Sequence, residues 1–373
     1  MIVYLDLAHW IGLAKARVGH PQGARYRRLY ELLQGQTASG ILTAPLSAEH
    51  YAEVEARIKD VRQRNDIALT MAELSAFKTL VSRGRQLRYE FRQALAAALG
   101  VNAPEVKALE PVGYGAGHAF GHPFRGVLKG PGAETFDPGE RVYVALDHLE
   151  EIIGGGWRFS QRDRISDRRE LLIAAFNEAA EYAILRGPYP SQIQSLRDEY
   201  GYRPEEAAKM MESIAQREGQ IKENLHGDRD LMRRIDDVVA ASTVVYDLLP
   251  DILADVLSDL GLAPDAFTNL GKPGMTAVLK DTPILSVEMA LRRGLFKNGN
   301  YQVKVNDTYD LAALGVAVVC CDVVVTDRSA AHRLKVAGMD RRHGCRVFAT
   351  PEELIAAGRS LRKGPNPRLL AGR

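Results

Sequence analysis

Hydrophobic and polar positions follow different rhythms at the two ends of the chain and in its middle. The opening Ile2-Val3-Tyr4-Leu5 is a short continuous apolar run, which predicts a buried strand ending at Asp6. Trp10, Ile11, Leu13 and Ala14 then recur at helical spacing, so a strand leads directly into a helix. Tyr30, Leu32 and Leu33 mark a second helix, and Gly40-Ile41-Leu42-Thr43-Ala44 reads as another buried strand before Pro45. Ser47 stands where a helix N-cap belongs, with His50, Tyr51 and Val54 following.

From about residue 60 to residue 275 the spacing is mainly helical, notably over 171–184, 204–221 and 230–260, with a kink expected at Pro250. Between Val112 and Gly132 recurrent glycines resist regular structure and predict a loop. Strand and helix alternation returns after residue 276. Pro283 to Leu295 reads as a helix, Asn306 as the cap of a helix beginning at Asp307, and Asp322-Val323-Val324-Val325-Thr326-Asp327 as a β-branched strand with an acid at each end. A short helix around Ala331–Val336, a strand at Cys345–Phe348 and a helix from Pro351 complete the pattern. The ends share one grammar and the middle does not. The expected organisation is one α/β domain made from residues 1–60 and 276–357, a mainly helical insertion over 61–275, and a basic tail over 358–373.

Composition narrows this picture. With 373 residues and 46% hydrophobic content there is ample material for a core, and 49 basic against 47 acidic side chains leave a net charge of only +2. Any nucleic-acid reading must therefore rest on local patches. Cys320 and Cys321 are adjacent in an apolar run and Cys345 is the third cysteine, which excludes a disulfide framework and fits a reducing, cytoplasmic setting. The N-terminus lacks signal-peptide grammar and no apolar stretch is long enough to span a bilayer, so no membrane partner is expected.

Acids placed just beyond buried strands are well positioned for chemistry, because ligands of parallel sheets gather at the carboxyl ends of the strands. Asp6 and Asp327 have that placement. Asp307 and Asp310, three apart, share a helix face, and Glu49 and Glu53, four apart, form a second same-face pair. Convergent carboxylates repel one another unless a cation binds them. Mg2+ or Mn2+, which prefer oxygen donors, is the natural counter-charge.

Val3-Tyr4-Leu5-Asp6, Pro45-Leu46-Ser47-Ala48-Glu49-His50-Tyr51-Ala52-Glu53, Asn306-Asp307-Thr308-Tyr309-Asp310-Leu311 and Asp322 to Asp327 together resemble the ordered acidic motifs of PIN-like domains. The resemblance covers roughly the first 60 and last 95 residues. It implies a three-layer parallel-sheet PIN-like domain with a large mainly helical insertion, acting as a divalent-metal nuclease on nucleic acid, chiefly RNA. The family includes toxins of bacterial toxin-antitoxin pairs, which implies an antitoxin-type inhibitor as partner. Asp6, Glu53, Asp307 and Asp327 carry the implied catalysis, with Glu49 and Asp310 joining them as metal ligands. The chain departs from the family at Leu7-Ala8-His9, where many members have a small polar residue and Asn, and in the length of its insertion.

Simpler roles stand beside these. Asp6 and Asp307 sit where acids cap or complement helix N-termini, Glu49 and Glu53 fit a solvated face, and Asp322 begins its strand and reads as structural. His118 and His122 have metal-compatible spacing in unfavourable glycine-rich surroundings. The basic run Arg57, Lys59, Arg62, Arg64, Lys78, Arg83, Arg85, Arg88 and Arg92 reads as a solvated surface or as a phosphate-contacting face with Tyr89 and Phe91 as stacking groups. Two other functions compete: an α/β phosphatase, disfavoured because Ala8 replaces its usual second acid, and a binding module with a degenerate site.

Overall fold

The computed structural model describes residues 1–103, 105–121, 178–249 and 251–357. Strand β1 (Val3–Leu5) is followed by α1 (Leu7–Arg17), a 3-10 turn over Pro21–Tyr26, α2 (Arg27–Ala38), α3 (Ala48–Arg57) and α4 (Val61–Ser75). Next come β2 (Lys78–Leu80), α5 (Arg83–Leu99), β3 (Val112–Tyr114), α6 (Gly115–Phe120) and a helix α7 over residues 178–186. The middle continues as α8 (Ile193–Tyr200), α9 (Pro204–Gly227), α10 (Arg229–Arg233), α11 (Ile235–Thr243), a π-helical turn (Val244–Leu248), α12 (Leu253–Asp259) and α13 (Gly271–Asp281). The C-terminal part is α14 (Pro283–Lys297), α15 (Val305–Cys320), β4 (Val323–Val325), α16 (Arg328–Val336), α17 (Met339–His343), β5 (Arg346–Phe348) and α18 (Pro351–Ala357).

The two ends form one small parallel sheet of order β1-β4-β5, with Leu5 opposite Val325 and Val325 opposite Phe348. Val3-Tyr4-Leu5 and Val323-Val324-Val325 are buried throughout, as parallel strands covered on both faces should be. Successive side chains point to opposite faces. Val3, Leu5, Val323 and Val325 accordingly join one hydrophobic cluster with Trp10, Leu33 and Met71. Tyr4, Val324 and Val347 join another with Leu87, Phe91, Leu285 and Leu314. The mid-chain helices feed these same clusters, Ile67 and Met71 the first and Leu225, Ile235 and Val256 the second. No helix among the described residues is long and apolar enough to cross a membrane.

Several local expectations are corrected. Gly40–Ala44 contributes only an isolated bridge, Thr43 to Ile2, along the free edge of β1, and Ile41 is 59% exposed. The described part of the glycine-rich stretch, up to Gly121, forms regular structure: β3 pairs antiparallel with β2, a strand the local pattern does not announce, and α6 follows. Gly115, at φ 75°, makes this strand-to-helix turn against the Glu181 carboxylate, where a Cβ would collide. The rest of that stretch, including His122, lies outside the described residues, as do Pro250 and the basic tail. The 230–260 segment is broken into α10, α11, the π turn and α12. Helix α15 starts at Val305 with Lys304 as its N-cap, so Asn306 is not the cap.

Candidate active site

Asp6 leaves β1 at the N-cap of α1, yet its carboxylate makes no capping bond. Parallel neighbours lie about 4.8 Å apart, so the Leu5–Val325 register sets Asp6 beside Thr326 and close to Asp327. The Thr326 hydroxyl donates to Asp6 Oδ2 at 3.2 Å. Burial raises the Asp6 carboxyl above its ordinary value, His9 opposes the shift, and Asp327 adds to it.

Asp327 is exposed and does cap its helix, Oδ1 accepting from the Ser329 and Ala330 backbone at 2.6 and 3.0 Å. Its Oδ2 accepts no hydrogen bond among the described residues. Glu53 is buried in α3 and paired with Arg57 one turn on. Burial pushes its carboxyl up to about 7 against the pull of Arg57, with Asp6 and Glu49 reinforcing the rise. Asp310 on α15 is pushed further, to about 8, by burial first and then by Asp6, Glu53, Asp327 and Asp307. It accepts no hydrogen bond and pairs with no cation among the described residues. Glu49 is half-buried, which raises its carboxyl, while its own backbone N–H, Ser47 and Arg83 oppose.

Asp307 is turned differently from Asp310. Both its oxygens accept from the Tyr301 hydroxyl, at 2.9 and 3.0 Å, and Oδ2 also takes the Lys304 backbone N–H at 2.7 Å. That is a capping role at the start of α15. Asp322 accepts from the Ile2 backbone N–H at 2.7 Å and ties the sheet together.

Two histidines that spacing alone did not single out hold this arrangement. His50 Nδ1 accepts from the Ser47 backbone N–H at 2.9 Å, so Nε2 carries the proton and donates to the Leu5 carbonyl at 2.9 Å. The ring stacks on Tyr4, with centroids 5.2 Å apart, and burial holds its pKa down at about 4. A neutral His50 thus ties the start of α3 to the end of β1, fixing Glu49 and Glu53 relative to Asp6. His9, buried in α1, lies 3.2 Å from the Tyr26 hydroxyl and 3.5 Å from the Thr326 carbonyl. The Leu7-Ala8-His9 departure was its one signal in the sequence.

The basic run does not form a continuous phosphate-contacting face. Arg64 is buried and donates to the Pro188 carbonyl, Arg88 pairs with Asp255 at 2.7 Å, and Arg92 is buried. Arg83 donates to both Glu288 oxygens, at 2.6 and 2.7 Å. Phe91, expected as a stacking group, is wholly buried edge-on against Phe267. Helical spacing turns it inward while Arg85 and Tyr89 remain at the surface of a cleft of about 1140 Å³. That cleft reaches Glu49 on α3 and Thr308 and Leu311 on α15, the elements that also carry Glu53 and Asp310. His118 lies in α6 with its Nε2 buried and unpartnered among the described residues.

The carboxylates that gather are therefore Asp6, Glu53, Asp310 and Asp327, with Glu49 beside them. Among the described residues no group of three His, Cys, Asp or Glu side chains is placed to hold a metal ion by itself. Compared with protein-family models, with curated proteins and with solved structures, the chain finds no match in any of the three.

Proposed function

We propose that this protein is a divalent-metal-dependent nuclease with a PIN-like three-layer domain, hydrolysing phosphodiester bonds in RNA. The observation that carries the reading is the surrounding of Asp310: a half-buried carboxyl without a hydrogen-bond or ion-pair partner among the described residues, flanked by Asp6, Glu53 and Asp327 from three other elements. Crowding of this kind holds a proton on Asp310 at neutral pH, which a bound cation would displace.

The donor set fits Mg2+ or Mn2+ in its chemistry, since it offers oxygen alone. These ions are commonly held by one or two carboxylates with water and substrate phosphates completing the shell, so a three-residue cage is not a requirement. Asp6 and Asp310 would hold the ion, with the unused oxygen of Asp327 and the Glu49 carboxylate at its margin. When bound, the ion supplies an acidified water and neutralises charge at the phosphate. Glu53, its carboxyl near 7, is suited to accept a proton from an attacking water. Asp307 in this reading anchors α15 and so positions Asp310. An antitoxin-type inhibitor covering the site belongs to the same proposal.

The Arg57 guanidinium on Glu53 favours one alternative, a nucleic-acid-binding module with a silent site, because it already neutralises that acid. Purified chain incubated with labelled single-stranded RNA and Mn2+ decides between them. Cleavage that needs the ion and disappears in Asp310→Asn supports the nuclease; RNA binding without cleavage at any Mn2+ concentration rejects it.

A further inference from the structure

We propose that the cleft beside the acidic group is a seat for unpaired nucleobases, in which Tyr246 and Phe120 stack against bases while Arg217 and Arg85 meet the phosphates of one strand. The inference rests on the nuclease reading for its choice of a nucleic-acid ligand. It assigns that ligand a binding surface on α5, α6, α9 and the π turn, a cleft that reaches the acidic group at Glu49.

The cleft has a floor and a rim with different chemistry. On the floor, Arg292 donates to Glu218 and Asp247, each at 3.1 Å, and to Thr243 at 3.0 Å. Arg83 is held by Glu288 and lies 3.5 Å from Asp247. These two guanidiniums are committed to carboxylates and have little left to offer a ligand. Glu288 in turn packs against Gly315 of α15, where a Cβ would lie 2.7 Å from its Oε1, so the floor abuts the helix that carries Asp310.

The rim is otherwise. Phe120 is 46% exposed and Tyr246 37%, both lining the cleft. The Arg217 guanidinium lies 3.9 Å from the Tyr246 ring centroid, and its buried Nε has no acceptor among the described residues. Arg85 is exposed, and neither it nor Arg217 has a carboxylate ion pair among the described residues. The π turn separates consecutive residues by role, sending Asp247 to the floor and Tyr246 to the rim. Such turns widen a helix locally and recur at functional sites.

Aromatic faces beside guanidiniums that lack a carboxylate ion pair among the described residues form the standard surface for single strands, since every base has a π-face and stacking ignores sequence. A double helix hides those faces, and an aromatic rim gives it nothing to stack on. The volume, about 1140 Å³, exceeds the usual range for a single small molecule and suits more than one nucleotide. Continuity with Glu49, Thr308 and Leu311 leads the strand toward the carboxylates.

The test uses the full chain in metal-free buffer, with a fluorescein-labelled 2′-O-methyl oligouridylate that cannot be cleaved, read by anisotropy. Tyr246→Ala and Phe120→Ala should each weaken binding about 5- to 100-fold, and Tyr246→Phe should restore it. Arg217→Gln should weaken binding and reduce the dependence of log affinity on log salt by roughly 0.7. Unlabelled duplex of equal length should compete poorly. No binding by the wild-type chain, affinity unchanged in Tyr246→Ala and Arg217→Gln, or equal competition by duplex overturns the inference, even where Mn2+-dependent cleavage is found. Conversely, weakened binding in these variants together with absent cleavage upholds the cleft and rejects the nuclease. Melting temperatures equal to wild type identify the losses as local, and the Tyr246→Phe rescue does so independently.

Discussion

The Thr326 hydroxyl donates to the Asp6 carboxylate at 3.2 Å across 320 residues of chain. That bond records the register of β1 against β4, which brings an acid from the first strand beside an acid from the fourth. Everything at the candidate site follows from this pairing, because α3 is tied to β1 through His50, and α15 leads directly into β4. Its consequences can be measured.

Asp6→Asn and Asp327→Asn should each abolish Mn2+-dependent RNA cleavage and reduce Mn2+ binding in calorimetry while the fold persists. Asn keeps the cap on α16 that Asp327 provides, whereas Asp327→Ala should cost about 1 kcal/mol of stability as well. Full cleavage with unchanged metal dependence in both Asn variants would place the chemistry elsewhere.

Asp310 makes stability depend on pH. Between its ordinary value of 3.8 and about 8 the folded chain holds a proton that the unfolded chain has released. Stability contributed by this residue therefore falls as pH rises through that window, and the penalty is complete above it. Asp310→Asn should flatten the profile and stabilise the protein near pH 9 by at least about 1 kcal/mol, seen in thermal melts without metal. Mn2+ should stabilise wild type more than the variant, and identical melting curves at all pH values would count against the crowded-carboxylate account.

Arg292→Met should destabilise the protein by about 3–5 kcal/mol, because Glu218 would be left with buried charge and no guanidinium and Asp247 would keep only Arg83 at 3.5 Å. Urea denaturation measures it. The triple change that also replaces Glu218 and Asp247 with Gln and Asn should recover part of the loss, since it removes the orphaned charges.

His50→Leu removes the partner of two backbone groups, the Ser47 N–H and the Leu5 carbonyl. Each buried group left unpaired costs about 1–3 kcal/mol. The variant should melt earlier, and any remaining cleavage should fall further than stability alone explains, because α3 loses its tie to β1. With the ring neutral down to about 4, wild type should show no loss of this contact between pH 5 and 8.

Much of the fold was legible locally. Val3-Tyr4-Leu5 and Val323-Val324-Val325 announce themselves as continuous apolar runs, and Asp6 and Asp327 are marked by standing just beyond them. Helices such as Pro204–Gly227 and Pro283–Lys297 carry a spacing that needs no partner to be recognised. The strand Lys78–Leu80 escaped because three residues have too little periodicity, and it exists only by pairing with Val112–Tyr114.

The sequence by itself determined which elements form and which acids stand at their ends, since spacing and capping act over a few residues. Only the tertiary structure decided which acids meet. Asp307 and Asp310 are equivalent by spacing, yet the Tyr301 hydroxyl and the Lys304 backbone occupy Asp307 and leave Asp310 to face Asp6 and Glu53. Arg83, Arg85 and Phe91 likewise share one basic run, but packing commits Arg83 to Glu288, buries Phe91 against Phe267 and leaves Arg85 at the cleft. The physical reason is range. A helix or strand is set by neighbours a few positions away, whereas the partner of a buried charge is set by shared burial among segments hundreds of residues apart.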